Sequence, residues 1–214
     1  MLKGVIFDMD GVLVDSEEYI CEAAMRMFAE RGLVVKPEDF LPFVGAGENR
    51  YIGGVAEKYR FALQLDRDKG RTYEIYGELV KDRIEPFAGA HEFIAKCRAR
   101  GLRVAVASAA DLVKVTINLR ELRFPPGTFD VVVSGSDVVK KKPDPEIFLL
   151  AARKLGLAPE ECLVIEDAVN GVAAAKAAGA RCLAITTSFT PEQLAGADWF
   201  APNLAQAPDE VLEW

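Results

Sequence analysis

The sequence predicts an α/β fold in which a parallel sheet is covered by helices on both faces. Two observations predict it: short runs that are almost continuously apolar, and helical patterns that alternate with them. Such runs suit strands that are buried on both faces, and strand–helix alternation is typical of parallel sheets with right-handed crossovers. A long stretch without a predicted strand interrupts this alternation near the start of the chain.

The alternating part of the chain is predicted to be a Rossmann-like core, made of residues 1–15 and 84–214. Its predicted strands are Leu2–Phe7, Leu102–Ser108, Phe129–Gly135, Cys162–Asp167, Cys182–Thr186 and a short strand near Asp198. Its predicted helices are Gly89–Gly101, Asp111–Leu122, Asp144–Leu155, Gly171–Ala178 and Pro191–Ala195. Several of these helices run up to a glycine (Gly101, Gly156 and Gly179), as expected where a helix ends in the left-handed conformation.

Residues 16–83 are predicted to form a small helical domain inserted after the first strand. The segment "SEEYICEAAMRMFAERG" has apolar residues at helical spacing, with Ser16 as the expected N-cap. Three further segments also have helical patterns: "KPEDFLPF", "ENRYIGGVAEKYRF" and "DKGRTYEIYGELVKDRI". An insert at this point lies over the carboxyl edge of the sheet, where open α/β sheets bind their ligands.

Composition and charge narrow the classes of function. The 214 residues carry a net charge of −7, which makes free nucleic acid an unexpected partner because phosphate backbones bind basic faces. The four cysteines lack metal-type spacing and are predicted to be reduced structural thiols. The sequence has no long apolar span and no signal-type N-terminus, so the chain is predicted to be cytoplasmic and not bound to membranes. It is also predicted to be monomeric.

Polar residues follow four of the predicted strands, where parallel strands bring their ends to one edge. Asp8 and Asp10 follow the first strand, and Ser108 ends the second. Lys142 lies in "KKKPDPEIF" after the third, and the pair Glu166–Asp167 ends the fourth. Each residue alone has an ordinary structural explanation as a turn residue, a helix cap or a solvated charge. Their coincidence at successive strand ends favours a reaction site.

These residue types suit phosphoryl transfer. Asp8 and Asp167 can ligate Mg²⁺ through oxygen, and an aspartate can act as a nucleophile that forms an aspartyl-phosphate. Lys142, the Ser108 hydroxyl and the metal would neutralise charge on the phosphoryl oxygens. Asp10 would protonate the leaving alcohol and then deprotonate the attacking water. The glycine that follows Asp10 would let the chain turn sharply beside the phosphate.

Four motifs together resemble the haloacid dehalogenase-like superfamily, in its phosphatase and β-phosphoglucomutase-like branch. They are "DMDGVLVDS" from Asp8, Ser108 in "VASAA", "KPDPEIF" from Lys142, and "IEDAVNG" around Glu166 and Asp167. The order and spacing of the four motifs agree with those of the superfamily over essentially the whole chain. The resemblance implies a core with a helical cap between the first two motifs, which coincides with the insert. An aspartate at position 10 also separates phosphoryl transferases from the dehalogenases that name the superfamily.

The resemblance also implies roles for individual residues. Asp8 is expected to be the nucleophile and Asp10 the acid/base. Mg²⁺ is expected to be bound by the side chains of Asp8 and Asp167 and the backbone carbonyl of Asp10, with Glu166 acting through water. The residues expected at the phosphate are Gly11, Ser108, Ala109 and Lys142. The residues expected to determine which small phosphorylated metabolite is bound are Ser16, Gly45, Gly47, Glu48, Asn49 and Arg50.

Three functions are open on this evidence. A phosphatase acting on a monophosphate, such as a sugar or polyol phosphate, is favoured over a β-phosphoglucomutase-type mutase. The mutases have a histidine where this chain has Ile20, and an arginine near the position of Glu48, although Arg50 could compensate. Asp111 would also repel a second phosphate. A non-catalytic binding protein is the remote alternative, since the expected nucleophile and metal ligands are all present.

Overall fold

The sheet has six parallel strands in the order β3-β2-β1-β4-β5-β6. The structure is a computed structural model that describes residues 1–45 and 47–214. Its strands are β1 (Gly4–Phe7), β2 (Arg103–Ala107), β3 (Val131–Val133), β4 (Cys162–Glu166), β5 (Arg181–Ile185) and β6 (Trp199–Ala201). The predicted parallel α/β sheet is therefore confirmed, and every predicted strand is present.

Helices cover both faces of the sheet, as predicted. The core helices are α4 (Ala90–Ala99), α5 (Leu112–Glu121), α6 (Glu146–Leu155) and α7 (Val169–Ala177). Side chains alternate along β1, so that Val5 and Phe7 pack in one apolar cluster and Ile6 packs in the other. The first cluster includes Phe93 of α4, and the second includes Phe148 of α6. Burial on both faces explains why the strands are almost continuously apolar.

The strand order places a crevice at the end of β1. This strand pairs with β2 on one side and with β4 on the other, so successive connections lead away from it in opposite directions. In open α/β sheets the carboxyl ends of strands at such a switch point form the ligand crevice. The first and fourth predicted motifs follow β1 and β4 and therefore meet there.

The described part of the insert contains three α-helices: α1 (Glu17–Glu30), α2 (Glu48–Lys58) and α3 (Leu65–Val80). Helix α1 packs against α3 through an apolar interface that includes Phe28 and Tyr76. The segment "KPEDFLPF" forms two short 3-10 turns, Pro37–Asp39 and Leu41–Phe43, in place of the expected helix. A proline in each turn lacks the N–H that a continuous α-helix would need. The division of the chain into two domains at residues 16 and 83 stays a prediction.

Two predicted details of the helices have different outcomes. Gly156 ends α6 with a φ of 69°, and the next N–H donates back to Ala152, so the expected glycine cap is confirmed there. The predicted helix Pro191–Ala195 is wrong, because these residues form turns before β6. The N–H groups of Gln193 and Leu194 both donate to the same carbonyl, that of Thr190, and no regular helical ladder develops. No helix in the described part of the chain is long and apolar enough to cross a bilayer.

Candidate active site

A cavity of about 870 Å³ lies between the carboxyl edge of the sheet and the helical insert. The core contributes residues that follow β1, β2, β4 and β5, and the insert contributes the first turns of α1 and α2. Twelve of the predicted site residues line this cavity: Asp8, Asp10, Gly11, Gly45, Gly47, Glu48, Ser108, Ala109, Lys142, Glu166, Asp167 and, from the mutase comparison, Ile20. The fold therefore brings most of the candidate residues together around one space.

Lys142 is buried between two carboxylates at the floor of the cavity. Its Nζ donates to Asp8 Oδ1 and to Glu166 Oε1. Glu166 Oε2 accepts the backbone N–H groups of Asp167 and Ala168, at 2.9 and 3.0 Å. Both oxygens of Glu166 are thus engaged within the protein, which fits the expected role outside the direct ligand set of a metal.

Asp8, Glu166 and Asp167 form an acidic cluster in which ligand oxygens lie within 4.8 Å of one another. Burial raises the pKa of Asp8 well above its usual range, and the neighbouring carboxylates add to this rise against the opposing effect of Lys142. Burial and the charge of Glu166 raise the pKa of Asp167 to about 7. The single ammonium group of Lys142 therefore does not balance the negative charge of the three carboxylates. A hard divalent cation with oxygen ligands, such as Mg²⁺, fits this donor set.

Gly11 makes the close approach between the β1 loop and Asp167 possible. Its φ is +81°, and a Cβ added to it would lie 1.9 Å from Asp167 Oδ2. Two side chains after β5 also fix this corner. Thr187 Oγ1 donates to the Gly11 carbonyl at 2.6 Å, and Ser188 Oγ donates to Asp167 Oδ2. The absence of a side chain at Gly11 thus determines where the Asp167 carboxylate can lie.

Ser108 directly follows β2 beside the same floor and is buried. Its backbone N–H donates to Val133, and its Oγ accepts the N–H of Ala110 at 3.1 Å, which holds the start of the following loop. Ala109 lines the cavity next to it, and its carbonyl is approached closely by Gly135. A side chain at Gly135 would meet that carbonyl at 2.0 Å, so packing fixes the loop that carries the predicted phosphate contacts.

The side chain of Asp10 is held by one residue at the start of the insert and one residue of the core helix α5. Ser16 Oγ donates to Asp10 Oδ1, and Lys114 Nζ donates to Asp10 Oδ2 at 2.9 Å. Ser16 does occupy the predicted N-cap position of α1, but its side chain makes no capping hydrogen bond. It also does not line the cavity, so the structure gives it contact with Asp10 and no direct access to a bound ligand.

The insert presents one face of α2 to the cavity. Glu48 and Tyr51 line it, one helical turn apart, and Ile20 of α1 lies on the same wall. Asn49 and Arg50 were expected there and are not, because α2 begins at Glu48 and turns them to other faces. Asn49 accepts from Lys69 at 2.8 Å; the exposed Arg50 pairs with Glu57 at 2.8 Å and stacks on Phe43. Ala46 of the predicted specificity loop lies outside the described residues.

Lys114 is a site residue that the sequence motifs did not reveal. It lies on α5, is 2 % exposed and lines the cavity together with Glu17 of α1. Burial raises the pKa of Glu17 and of Glu48, both of which lie near this ammonium group. A signal was available: in "DLVKVTIN", Lys114 shares a helix face with Val115 and Asn118, both buried. A lysine on the apolar face of a core helix indicates a buried ion pair.

Comparison with known proteins gives one family and several relatives. The profile of the haloacid dehalogenase-like hydrolase family matches residues 2–179. The chain is 43 % identical over 195 residues to "Protein SUPPRESSOR OF QUENCHING 1, chloroplastic" from Arabidopsis thaliana, covering 88 % of this chain but only 18 % of that protein. It is 32 % identical to the "Phosphorylated carbohydrates phosphatase" of Thermotoga maritima, covering 83 % of this chain and 82 % of the relative.

Among solved structures, CbbY from Rhodobacter sphaeroides in complex with phosphate superimposes with a TM-score of 0.85. It is 29 % identical in sequence, and the match covers 96 % of each chain. A mutant of the same protein was solved with xylulose-(1,5)bisphosphate. The β-phosphoglucomutase of Clostridium difficile superimposes with a TM-score of 0.84 at 22 % identity, which is a likeness of fold alone.

Proposed function

The chain belongs to the haloacid dehalogenase-like hydrolase family, and from this premise we propose that it is a Mg²⁺-dependent phosphatase. Its substrate is a small phosphorylated metabolite, a sugar or polyol phosphate, and the reaction passes through an aspartyl-phosphate on Asp8. One observation carries the proposal: Asp8, Glu166, Asp167 and Lys142 converge at the floor of the cavity, with Asp10 two residues beyond Asp8. The substrates named for the relatives support this class of ester.

In the first half-reaction, a carboxylate oxygen of Asp8 attacks phosphorus. The new bond joins that oxygen to phosphorus, while the bond from phosphorus to the ester oxygen breaks. Asp10, in its protonated form, gives its proton to the departing alcohol oxygen. The position of its carboxylate between the core and the insert supports this role, because the leaving group must extend from the floor toward the insert.

In the second half-reaction, Asp10 takes a proton from water and the water oxygen attacks the phosphorus atom. The bond from phosphorus to Asp8 then breaks, so the carboxylate is regenerated and inorganic phosphate is released. One group can serve both steps because the proton that it gives away in the first is replaced in the second.

The remaining floor residues bind the phosphoryl group. Lys142 and Ser108 hold its oxygens through their side chains, and the loop at Gly11 and Ala109 offers backbone contacts. Asp8 and Asp167 would hold Mg²⁺ through their side chains, with Asp10 adding its carbonyl. When bound, the cation supplies positive charge that neutralises the phosphoryl oxygens. The raised pKa of Asp167 supports this assignment, because the cluster carries more negative charge than Lys142 balances.

The mutase alternative has less support. A mutase must bind a second phosphate on the insert side, and that wall presents Ile20 and Glu48. An apolar side chain and a carboxylate offer such a phosphate no positive charge. Arg50 does not compensate, because it lies off the cavity and pairs with Glu57. A non-catalytic protein would not need the proposed nucleophile, the acidic cluster that can hold a cation and the proposed acid/base together.

Screening of purified protein against a panel of phosphorylated metabolites tests the proposal. We expect phosphate release with Mg²⁺ from at least one sugar or polyol phosphate and its loss in excess chelator. Absence of release from every ester, or full activity in chelator, would contradict it. Activity that converts a sugar 1-phosphate to its 6-phosphate without releasing phosphate would favour the mutase.

Three further properties stay predictions. The protein is expected to act as a monomer on a small-molecule partner, without nucleic acid. The cytoplasmic location expected from the sequence is not a property of the family, since one relative is a chloroplastic protein. The activity and partners of that longer relative also include parts that this chain does not match.

A further inference from the structure

One wall of the cavity is formed by charged groups from both the core and the insert. Lys114 comes from α5 of the core, while Glu17 and Glu48 begin α1 and α2 of the insert. Glu48 is 8 % exposed, and its Oε2 accepts the backbone N–H of Asp111 at 3.3 Å. We call these three residues, Glu17, Glu48 and Lys114, the leaving-group wall.

This wall is negatively charged overall. Among described residues, the cavity is lined by seven carboxylates and only two ammonium groups, those of Lys114 and Lys142. Lys142 is paired with Asp8 and Glu166 on the floor. Lys114 is paired with Asp10 at 2.9 Å. Glu17 and Glu48 therefore face the cavity without an ammonium group of their own.

Basic residues near the insert side are also paired elsewhere. Lys69 lies 2.7 Å from Asp111, and Arg50 lies 2.8 Å from Glu57. Lys141 donates to the carbonyl of Gly135. None of these three lines the cavity. A second phosphate at this wall would meet the carboxylates of Glu17 and Glu48, and like charges repel each other.

We propose that the leaving-group wall binds uncharged hydroxyl groups, so that the enzyme selects monophosphate esters of polyhydroxylated alcohols and rejects bisphosphates. This inference rests on the proposed function and defines its substrate class. Hydroxyl groups suit the wall because each can donate to a carboxylate of Glu17 or Glu48 and accept from Lys114.

The test measures binding separately from turnover. The Asp8→Asn variant, with Mg²⁺, is titrated by calorimetry with glucose 6-phosphate and glucose 1,6-bisphosphate, and with the corresponding fructose mono- and bisphosphates. We expect at least one monophosphate to bind at least tenfold more tightly than its bisphosphate. Glu48→Arg, in the same background, should reduce that ratio at least tenfold. Glu78→Arg makes the same charge change on an exposed face of α3, and it should leave the ratio unchanged.

Three results would overturn the inference: bisphosphates that bind as tightly as monophosphates, a ratio that Glu48→Arg does not change, or no binding of any of these esters. If circular dichroism shows that Glu48→Arg is unfolded, Glu48→Gln replaces it and should weaken monophosphate binding at least threefold while inorganic phosphate binds as before. Failure of the proposed function is separate, because it would appear as absence of phosphate release by the unsubstituted enzyme whatever the binding ratio.

Discussion

Lys142 Nζ donates to Asp8 Oδ1 across 134 residues of sequence, and this contact joins the loop after β3 to the end of β1. Both side chains are almost fully buried. Because the proposed nucleophile and the lysine beside it follow different strands, the sheet must be assembled before either side chain has its partner. The contact also makes the charge on Asp8 dependent on Lys142.

Replacement of Lys142 by Met should lower kcat at least about 100-fold, or about 2.7 kcal/mol of barrier. It removes the ammonium group from the proposed phosphoryl site and leaves the two carboxylates of Asp8 and Glu166 without their cation. Loss of one member of a buried ion pair should also lower the free energy of unfolding by about 3–5 kcal/mol. Lys140→Met is the matched control, since Lys140 is 71 % exposed and should change neither quantity appreciably. Steady-state kinetics and thermal unfolding measure both, and equal effects of the two variants would contradict the assignment.

If Asp8 is the covalent nucleophile, substitutions at Asp8 and at Asp10 should affect the reaction differently. Asp8→Asn keeps the size of the side chain but loses the nucleophile, and turnover should be abolished. Asp10→Asn should slow both half-reactions, since the same group serves the leaving oxygen and the water. Mass spectrometry of this variant after mixing with substrate should find phosphate on Asp8 and on no other residue. Phosphate on a different side chain, or substantial turnover by Asp8→Asn, would show that another residue is the nucleophile.

The raised pKa of Asp167, about 7, predicts how stability depends on pH without a divalent cation. The folded protein holds this proton more tightly than the unfolded chain does, so stability should fall as pH rises from about 4 to about 7. The loss is complete above the folded pKa. Mg²⁺ relieves the repulsion, and it should therefore raise the melting temperature more at pH 8 than at pH 5.

Thermal unfolding at both pH values, with and without Mg²⁺, checks this expectation. Asp167→Asn is the control variant, because it removes the titrating group and a proposed ligand together. The variant should show a smaller fall in stability with pH and a smaller stabilisation by Mg²⁺. Equal stabilisation by Mg²⁺ at the two pH values would mean that the cluster does not titrate in this range.

Alanine substitutions at Gly11 and Gly32 separate the effect of backbone strain from the effect of contact with Asp167. Gly11 and Gly32 share a φ of +81°, but an added Cβ would have nothing within 4 Å at Gly32 and would meet Asp167 at 1.9 Å at Gly11. Gly32→Ala should destabilise the protein by about 1–2 kcal/mol through backbone strain alone, with activity unchanged. Gly11→Ala should destabilise it further and lower kcat at least about 100-fold by displacing Asp167. Denaturant unfolding and kinetics compare them, and equal activity of the two variants would contradict this reading of the contact.

The sequence by itself predicted the parallel α/β fold and the strand ends that the candidate site residues follow. Apolar runs identify strands because a sheet buried on both faces needs apolar residues at successive positions. Asp8, Ser108 and the pair Glu166–Asp167 could be placed at one edge because parallel strands end there together. The helix predicted at residues 191–195 was wrong because a segment this short has too few helical hydrogen bonds to offset the cost of helix nucleation. The residues form turns there.

Only the tertiary structure decided what surrounds each residue. Whether Lys114 is solvated or buried beside Asp10 depends on α3 packing against α5, which no local pattern encodes. Likewise Glu48 reaches the cavity while Asn49 and Arg50 do not, because a helix that begins at Glu48 rotates successive side chains by about 100°. Spacing along the chain specifies which residue types follow each strand. Distances, burial and charge balance depend on elements far apart in sequence, and these determine which side chains can meet a substrate.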